Sequence, residues 1–227
     1  MPDREILYVI NPNSSGTVTR GIDAAMDPLR RAGIPIRCLT LQAGPSGIES
    51  QLQADLVIAP LIELALKQEK AAGFVIACFG DPGAHALRDA THLPVVGIQE
   101  ASVSQALILG QRIGVISILS ASIPRHYRSL GAMGVLDRIA GDRALELTVS
   151  ELADEERCLE KMIETGLELK QQDGANVLIM GCAGMAKYRQ LLENAVGLPV
   201  VEPCQAAGVM ALGQIMLKQS HRGSGHA

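Results

Sequence analysis

The chain has no tryptophan, and only three tyrosines and two phenylalanines in 227 residues. So few aromatics leave no platform on which single-stranded bases could stack. Basic charge is not in excess either. Twenty Lys and Arg stand against 24 Asp and Glu, a formal net charge of −4, and no long Lys/Arg run occurs. Such a chain is poorly matched to nucleic acid or to an anionic membrane. Long apolar runs are missing. The best stretch, Ser102 to Ser120, is interrupted by Gln105, Gln111 and Arg112. That falls short of the roughly 18 uninterrupted apolar residues of a membrane span. No C-x-x-C pair exists, and His85, His92, His126, His221 and His226 form no ligand-spaced cluster, so no metal site is expected. Gly80-x-x-Gly83 and Gly181-x-x-Gly184 fall short of a dinucleotide fingerprint, and no Walker A pattern occurs. Nucleotide binding is therefore unsupported and no cofactor is expected.

What remains is a globular composition: 48% hydrophobic, 19% charged, 23 Gly and 11 Pro. The length suits two lobes of about 100 residues each. The five cysteines, Cys38, Cys78, Cys158, Cys182 and Cys204, are odd in number and widely spaced. The charged start, Met1 to Glu5, lacks the regions of a secretion signal. Free thiols in a cytoplasmic protein are the expectation. A homo-oligomer is also expected, since soluble enzymes commonly self-associate, although no seam is legible.

Short apolar runs alternate with helical patterns. Residues 6–10, 36–41, 74–78 and 95–98 read as strands, and 16–32, 49–71 and 83–91 as helices. Continuous Val/Ile runs separated by helices indicate a parallel sheet covered on both faces. The second half repeats the first. Ile113-Gly-Val-Ile-Ser117 answers Leu7-Tyr-Val-Ile-Asn11, and Leu178-Ile-Met-Gly-Cys182 answers Phe74-Val-Ile-Ala-Cys78. Leu198-Pro-Val-Val201 answers Leu93-Pro-Val-Val96. The offsets at Asn11/Ser117, Cys78/Cys182 and Pro94/Pro199 are 106, 104 and 105. The expected fold is α/β, with two similar Rossmann-like lobes of mainly parallel sheet, related by a pseudo-twofold. Lobe 1 spans 1–103, lobe 2 spans 104–204, and 220–227 reads as a frayed tail. Two such lobes meet across a cleft at the C-terminal ends of their strands, where ligands bind.

Cys78 and Cys182 occupy equivalent strand ends in this repeat. A cysteine between a strand and a helix N-terminus meets unpaired N–H groups and the positive end of the dipole, which favour the thiolate. Phe79-Gly80 and Ala183-Gly184 follow the two thiols, and small residues there let backbone donors approach an enolate oxygen. One thiolate can take a proton from a stereogenic carbon while the opposite thiol returns one to the other face. Such work needs a pKa near the operating pH, and cysteine starts closer to it than a carboxylate does. Cys38, within a strand pattern, and Cys158, on a helical stretch, read as packing residues, as does Cys204.

At these residues the chain resembles the aspartate/glutamate/hydantoin racemase superfamily, closest to its hydantoin racemase branch, which includes allantoin racemases. Ile10-Asn-Pro-Asn-Ser14, Cys78-Phe-Gly-Asp-Pro-Gly83, Pro94-Val-Val-Gly-Ile98 with Glu100-Ala101, and Gly181-Cys-Ala-Gly-Met185 carry the likeness. The resemblance implies two lobes, a cleft and two cysteine acid/base residues, which fall on Cys78 and Cys182. It implies that the final helix, 205–219, returns to lobe 1. The superfamily's amino-acid racemases usually carry Asn-Thr or Thr-His after the two cysteines; Phe79-Gly80 and Ala183-Gly184 stand here instead. That departure favours a neutral ring. The expected activity is a cofactor-independent racemisation at C5 of 5-substituted hydantoins, allantoin among them, through an enolate-like intermediate. An amino-acid racemase or a maleate-type isomerase on the same scaffold stays open, as does a non-catalytic module that binds a small ligand.

Other cleft candidates are Asn11 and Asn13 at the first strand end, Ser117 as the repeat mate of Asn11, and Tyr127 as a donor. Helix capping explains at least one of the polar residues after the first strand. Phe79 reads either as a wall for a ring or as core. Asp81 reads as a turn or cap residue that could also tune the Cys78 thiol. Glu63 and Glu164 read as solvated.

Overall fold

A computed structural model describes residues 5–221. In the first half, chain order runs β1 (Ile6–Asn11), α1 (Gly16–Ala25), β2 (Ile36–Thr40), α2 (Gln51–Leu56), α3 (Ile58–Leu66) and β3 (Ala71–Ile76). Then come α4 (Ala84–Ala90), β4 (Val95–Gly97) and α5 (Ile98–Leu109). The second half runs β5 (Ile113–Ser117), α6 (Ile123–Ala132), β6 (Ile139–Ala144), α7 (Glu155–Gln171) and β7 (Val177–Met180). It ends with α8 (Arg189–Val196), β8 (Val200–Val201) and α9 (Pro203–Met216).

The strands form two parallel four-stranded sheets, ordered β2-β1-β3-β4 and β6-β5-β7-β8. The second order is the first repeated, as the sequence offsets require. Alternation along the central strands sorts the core into three layers. Leu7, Val9 and Val75 of one sheet and Ile113, Val115 and Ile179 of the other share a central core with α5 and α9. Tyr8, Ile10 and Ile76 face outward beneath α3 and α4. Ile116, Leu178 and Met180 face outward beneath α7 and α8. Because both faces of each central strand are covered, these strands read as continuous apolar runs. Each fully buried Leu, Ile or Val contributes about 1.5–3 kcal/mol.

Several boundaries differ from the sequence expectation for identifiable reasons. Residues 49–71 do not form one helix. A capping box between Ser50 and Gln53 starts α2 at Gln51, Val57 separates α2 from α3, and Ala71 pairs with Ile6 and joins β3. Residues 16–32 break after Ala25, where Pro28 stands at the start of a tighter 3-10 turn. The last helix begins at Pro203 rather than at 205. The Gln205 side chain donates to the Ala25 carbonyl at 3.0 Å, and Gly208 faces Leu29 and Met26. The segment set aside as a tail does not begin at Ser220. His221 donates its N–H to the His92 carbonyl, and its Nε2 accepts from the Val95 N–H at 3.0 Å. The rest of that segment, 222–227, lies outside the described residues. Among the described residues no helix is long and apolar enough to cross a membrane.

Candidate active site between the lobes

Cys78 lies two residues beyond β3, and Cys182 two residues beyond β7. Both are half-buried free thiols, and both line the same cleft. Gly181 is required just before the second thiol, since a Cβ there would lie 2.8 Å from the Ile116 carbonyl oxygen of the neighbouring strand.

The two thiols are held differently. Cys182 caps a 3-10 turn over Ala183–Tyr188, and its Sγ accepts from the Gly184 N–H at 3.4 Å. That N–H therefore points at the thiol, where the sequence suggested a substrate oxygen. After Cys78 no helix starts at once. The chain passes through Gly80, Asp81 and Gly83, all at positive φ, before α4 begins at Ala84. Asp81 does not cap α4 either. Its carboxylate accepts from the N–H groups of Gln99 and Glu100, at 2.8 and 2.9 Å, and so caps α5. Burial raises the Asp81 pKa to about 7 against the pull of those bonds.

Burial also overrides the expected acidification of the thiols. It pushes Cys78 up to about 12, opposed by the nearby Arg125 guanidinium. It pushes Cys182 up to about 11, opposed by the Gly184 N–H. Cys38 is raised by burial to about 12, and Cys158 and Cys204 are buried in the core.

Of the other sequence candidates, Asn13, Phe79, Ala183 and Gly184 line the cleft. Asn11, Ser117, Gly80 and Tyr127 do not. Asn11 is buried, and its Nδ2 donates to Asn13 Oδ1, the Ser15 carbonyl and Thr19 Oγ1. It shapes the Asn13 loop from behind. Ser117 is fully buried and bonds to His126 and Asp142. Gly80 faces a separate surface groove. Tyr127 is exposed on the far side of α6, because helix neighbours diverge by about 100°. Glu63 and Glu164 are exposed, as read from sequence.

The sequence reading missed Ser122, Arg125 and His126, which bring polar atoms from the start of α6 to the cleft wall. Their i, i+3, i+4 spacing was the available signal. The cleft is also closed at one side by Ile48 and Val149, with Glu49 Oε1 accepting from the Val149 N–H at 3.0 Å across the lobes. The cleft is partly open to solvent and holds about 30 Å³ of free space.

Two like-ordered parallel sheets around a shared cleft define the class: a two-lobed α/β enzyme. Residues 7–211 match the Asp/Glu/Hydantoin racemase family, and the chain belongs to it. A hydantoin racemase of Pseudomonas sp. (strain NS671) is 35% identical over 199 residues, covering 86% of this chain and 80% of that protein. The solved allantoin racemase from Klebsiella pneumoniae is 29% identical with a TM-score of 0.88, covering 96% of this chain and 90% of that one. The allantoin racemase from Pseudomonas fluorescens is 26% identical with a TM-score of 0.90, covering 95% and 93%. The chain is accordingly an isomerase of the racemase type.

Proposed function

We propose that the enzyme inverts C5 of 5-substituted hydantoins, allantoin among them, by exchanging base and acid roles between Cys78 and Cys182. The observation that carries this reading is the pair of thiols at equivalent strand ends on one cleft. One thiolate takes the C5 proton, and the C–H electron pair moves into the ring as an enolate on the C4 oxygen. The opposite thiol then gives its proton to the other face of C5, and the electron pair returns. The first cysteine ends as a thiol and the second as a thiolate, so the reverse reaction starts from the product form. All the proton movements lie within the two thiols, and no cofactor is called on.

The raised thiol pKa values bear on this chemistry. A thiolate with a high pKa is rare at neutral pH but is a stronger base once formed. Phe79 and Ala183, each directly after a thiol, offer no group to hold an amino-acid ammonium, which favours a neutral ring.

Polarimetry on single enantiomers of 5-benzylhydantoin, 5-isobutylhydantoin and allantoin, in D2O with chelator, tests the reading. Rotation is expected to decay to zero with deuterium at C5. The reading fails if no hydantoin loses rotation above the buffer rate; aspartate, glutamate and maleate would then be assayed.

A further inference from the structure

Two buried hydrogen-bonding groups at the start of α6 lack protein partners, and with His126 they line one cleft. The Ser122 Oγ and Arg125 Nη1 are buried without a hydrogen bond. Arg125 also makes no ion pair among the described residues. His126 is 1% exposed, yet its ring lines the cleft. Its Nδ1 is engaged on the opposite side, 2.9 Å from Asp142 Oδ2 and 3.1 Å from Ser117 Oγ, and Ser117 also donates to Asp142 Oδ1. Neither Asp142 nor Ser117 lines the cleft. The ring therefore turns its other edge, with Nε2, toward the cavity. The Phe79 ring, edge-on at 4.9 Å, fixes its plane. Buried polar groups without partners call for a ligand or a structural explanation, and here Ser122 and Arg125 line, with His126, the cleft that holds both thiols; Arg125 also borders the groove at Gly80.

Their chemistry specifies what would pair with them. Asp142 holds the His126 proton on Nδ1, so in the neutral ring Nε2 is an acceptor. Arg125 is a charged donor, and the Ser122 hydroxyl can donate. Two donors and one acceptor complement two carbonyl oxygens and one N–H. That set is the imide edge of a hydantoin, C4=O, N3–H and C2=O. An amino acid's only N–H donors sit on its ammonium, whose charge the neighbouring Arg125 guanidinium repels. Resting on the racemase reading above, we propose that Ser122, Arg125 and His126 form the subsite that reads this imide edge. His126 accepts from N3–H, and Arg125 and Ser122 donate to the carbonyl oxygens. Ser117 and Asp142 are positioning residues that fix the histidine tautomer.

The test compares 5-benzylhydantoin with its N3-methyl derivative at neutral pH, in wild type, His126→Gln and Asp142→Asn. Wild type is expected to prefer the unmethylated ring by at least about tenfold in kcat/KM. Asp142→Asn keeps the shape but frees the tautomer. It should lower kcat/KM for the unmethylated ring and bring the ratio to within about threefold. His126→Gln, whose amide oxygen can still accept, should retain more of the preference. Melting temperatures check folding. Ser122→Ala guards against misfolding, since that hydroxyl makes no bond in the protein. It should leave melting unchanged and lower kcat/KM about two- to tenfold. The subsite is overturned if wild type racemises both rings equally. It is also overturned if Asp142→Asn keeps the wild-type ratio and Ser122→Ala is as active as wild type. If wild type racemises neither ring, the hydantoin reading itself has failed, and the subsite falls with it.

Discussion

The two lobes share a strand order but not a way of holding a thiol. In lobe 2, Cys182 caps the turn that follows it and receives the Gly184 N–H. In lobe 1, a loop with three positive-φ residues separates Cys78 from its helix, the thiol donates to the Phe79 carbonyl at 3.8 Å, and the charge of Arg125, from the other lobe, favours its thiolate. The final helices differ as well. Asp81, from the Cys78 loop, caps α5, whereas Glu202, at the end of β8, caps α9 itself through the N–H groups of Cys204 and Gln205. A repeated fold therefore delivers two equivalent positions with unequal electrostatics. That inequality is useful in a reaction whose two faces need not be served at equal rates.

Removing a thiol should break the comparison most. Cys78→Ser and Cys182→Ser are each expected to lower racemisation by about 10²–10⁴-fold, measured by polarimetry. Next in size is Gly97→Ala. A Cβ there would lie 2.1 Å from the Asp81 Cγ. The substitution displaces the α5 cap and, through Asp81, the loop that holds Cys78. It should cost about 1–3 kcal/mol in thermal unfolding and impair Cys78 more than Cys182. A third, smaller contrast lies in the thiols themselves. Burial raises both thiols, but Cys182 also receives the Gly184 N–H, so Cys182 should carry more thiolate at pH 8. Mass spectrometry of iodoacetamide-treated protein should find it alkylated first.

The raised thiol pKa values set a pH dependence. Each folded thiol has a pKa above the ordinary 9.0, so folding favours the protonated form. That contribution is fully present below pH 9 and is lost as pH rises through about 11 and then about 12. Alkaline unfolding should shift to higher pH in Cys78→Ser. In catalysis the sign reverses, because the free enzyme needs one thiolate. The kcat/KM should climb above pH 7 as one thiolate forms, and turn down once the hydantoin N3–H that donates to His126 ionises. Ser117→Ala, which strips a hydrogen bond from the buried Asp142 carboxylate, should cost about 1.5–3 kcal/mol in thermal unfolding.

The repeat was legible because each lobe writes its central strands as runs buried on both faces, and the thiols sit at fixed distances from them. Asn11 and Ser117 were legible as equivalent positions but not as buried ones. Their side chains satisfy Thr19, on the helix that follows β1, and Asp142, brought near by β5–β6 pairing that the linear pattern does not display. The start of α6 was hidden for a related reason. His126 bonds to Asp142, 16 residues away, and the Arg125 charge reaches Cys78 in the other lobe. The thiol pKa direction was misjudged because the N-terminal dipole argument ignored burial. Only Cys182 receives an N–H, and even there desolvation wins.

The most direct measurement is C5 deuterium exchange on each enantiomer of 5-benzylhydantoin in D2O, comparing Cys78→Ser with Cys182→Ser. If each thiol serves one face, both variants stop racemising, and each retains exchange without inversion for a different enantiomer. The two-base reading is contradicted if either variant still racemises near the wild-type rate, or if both retain exchange on the same enantiomer.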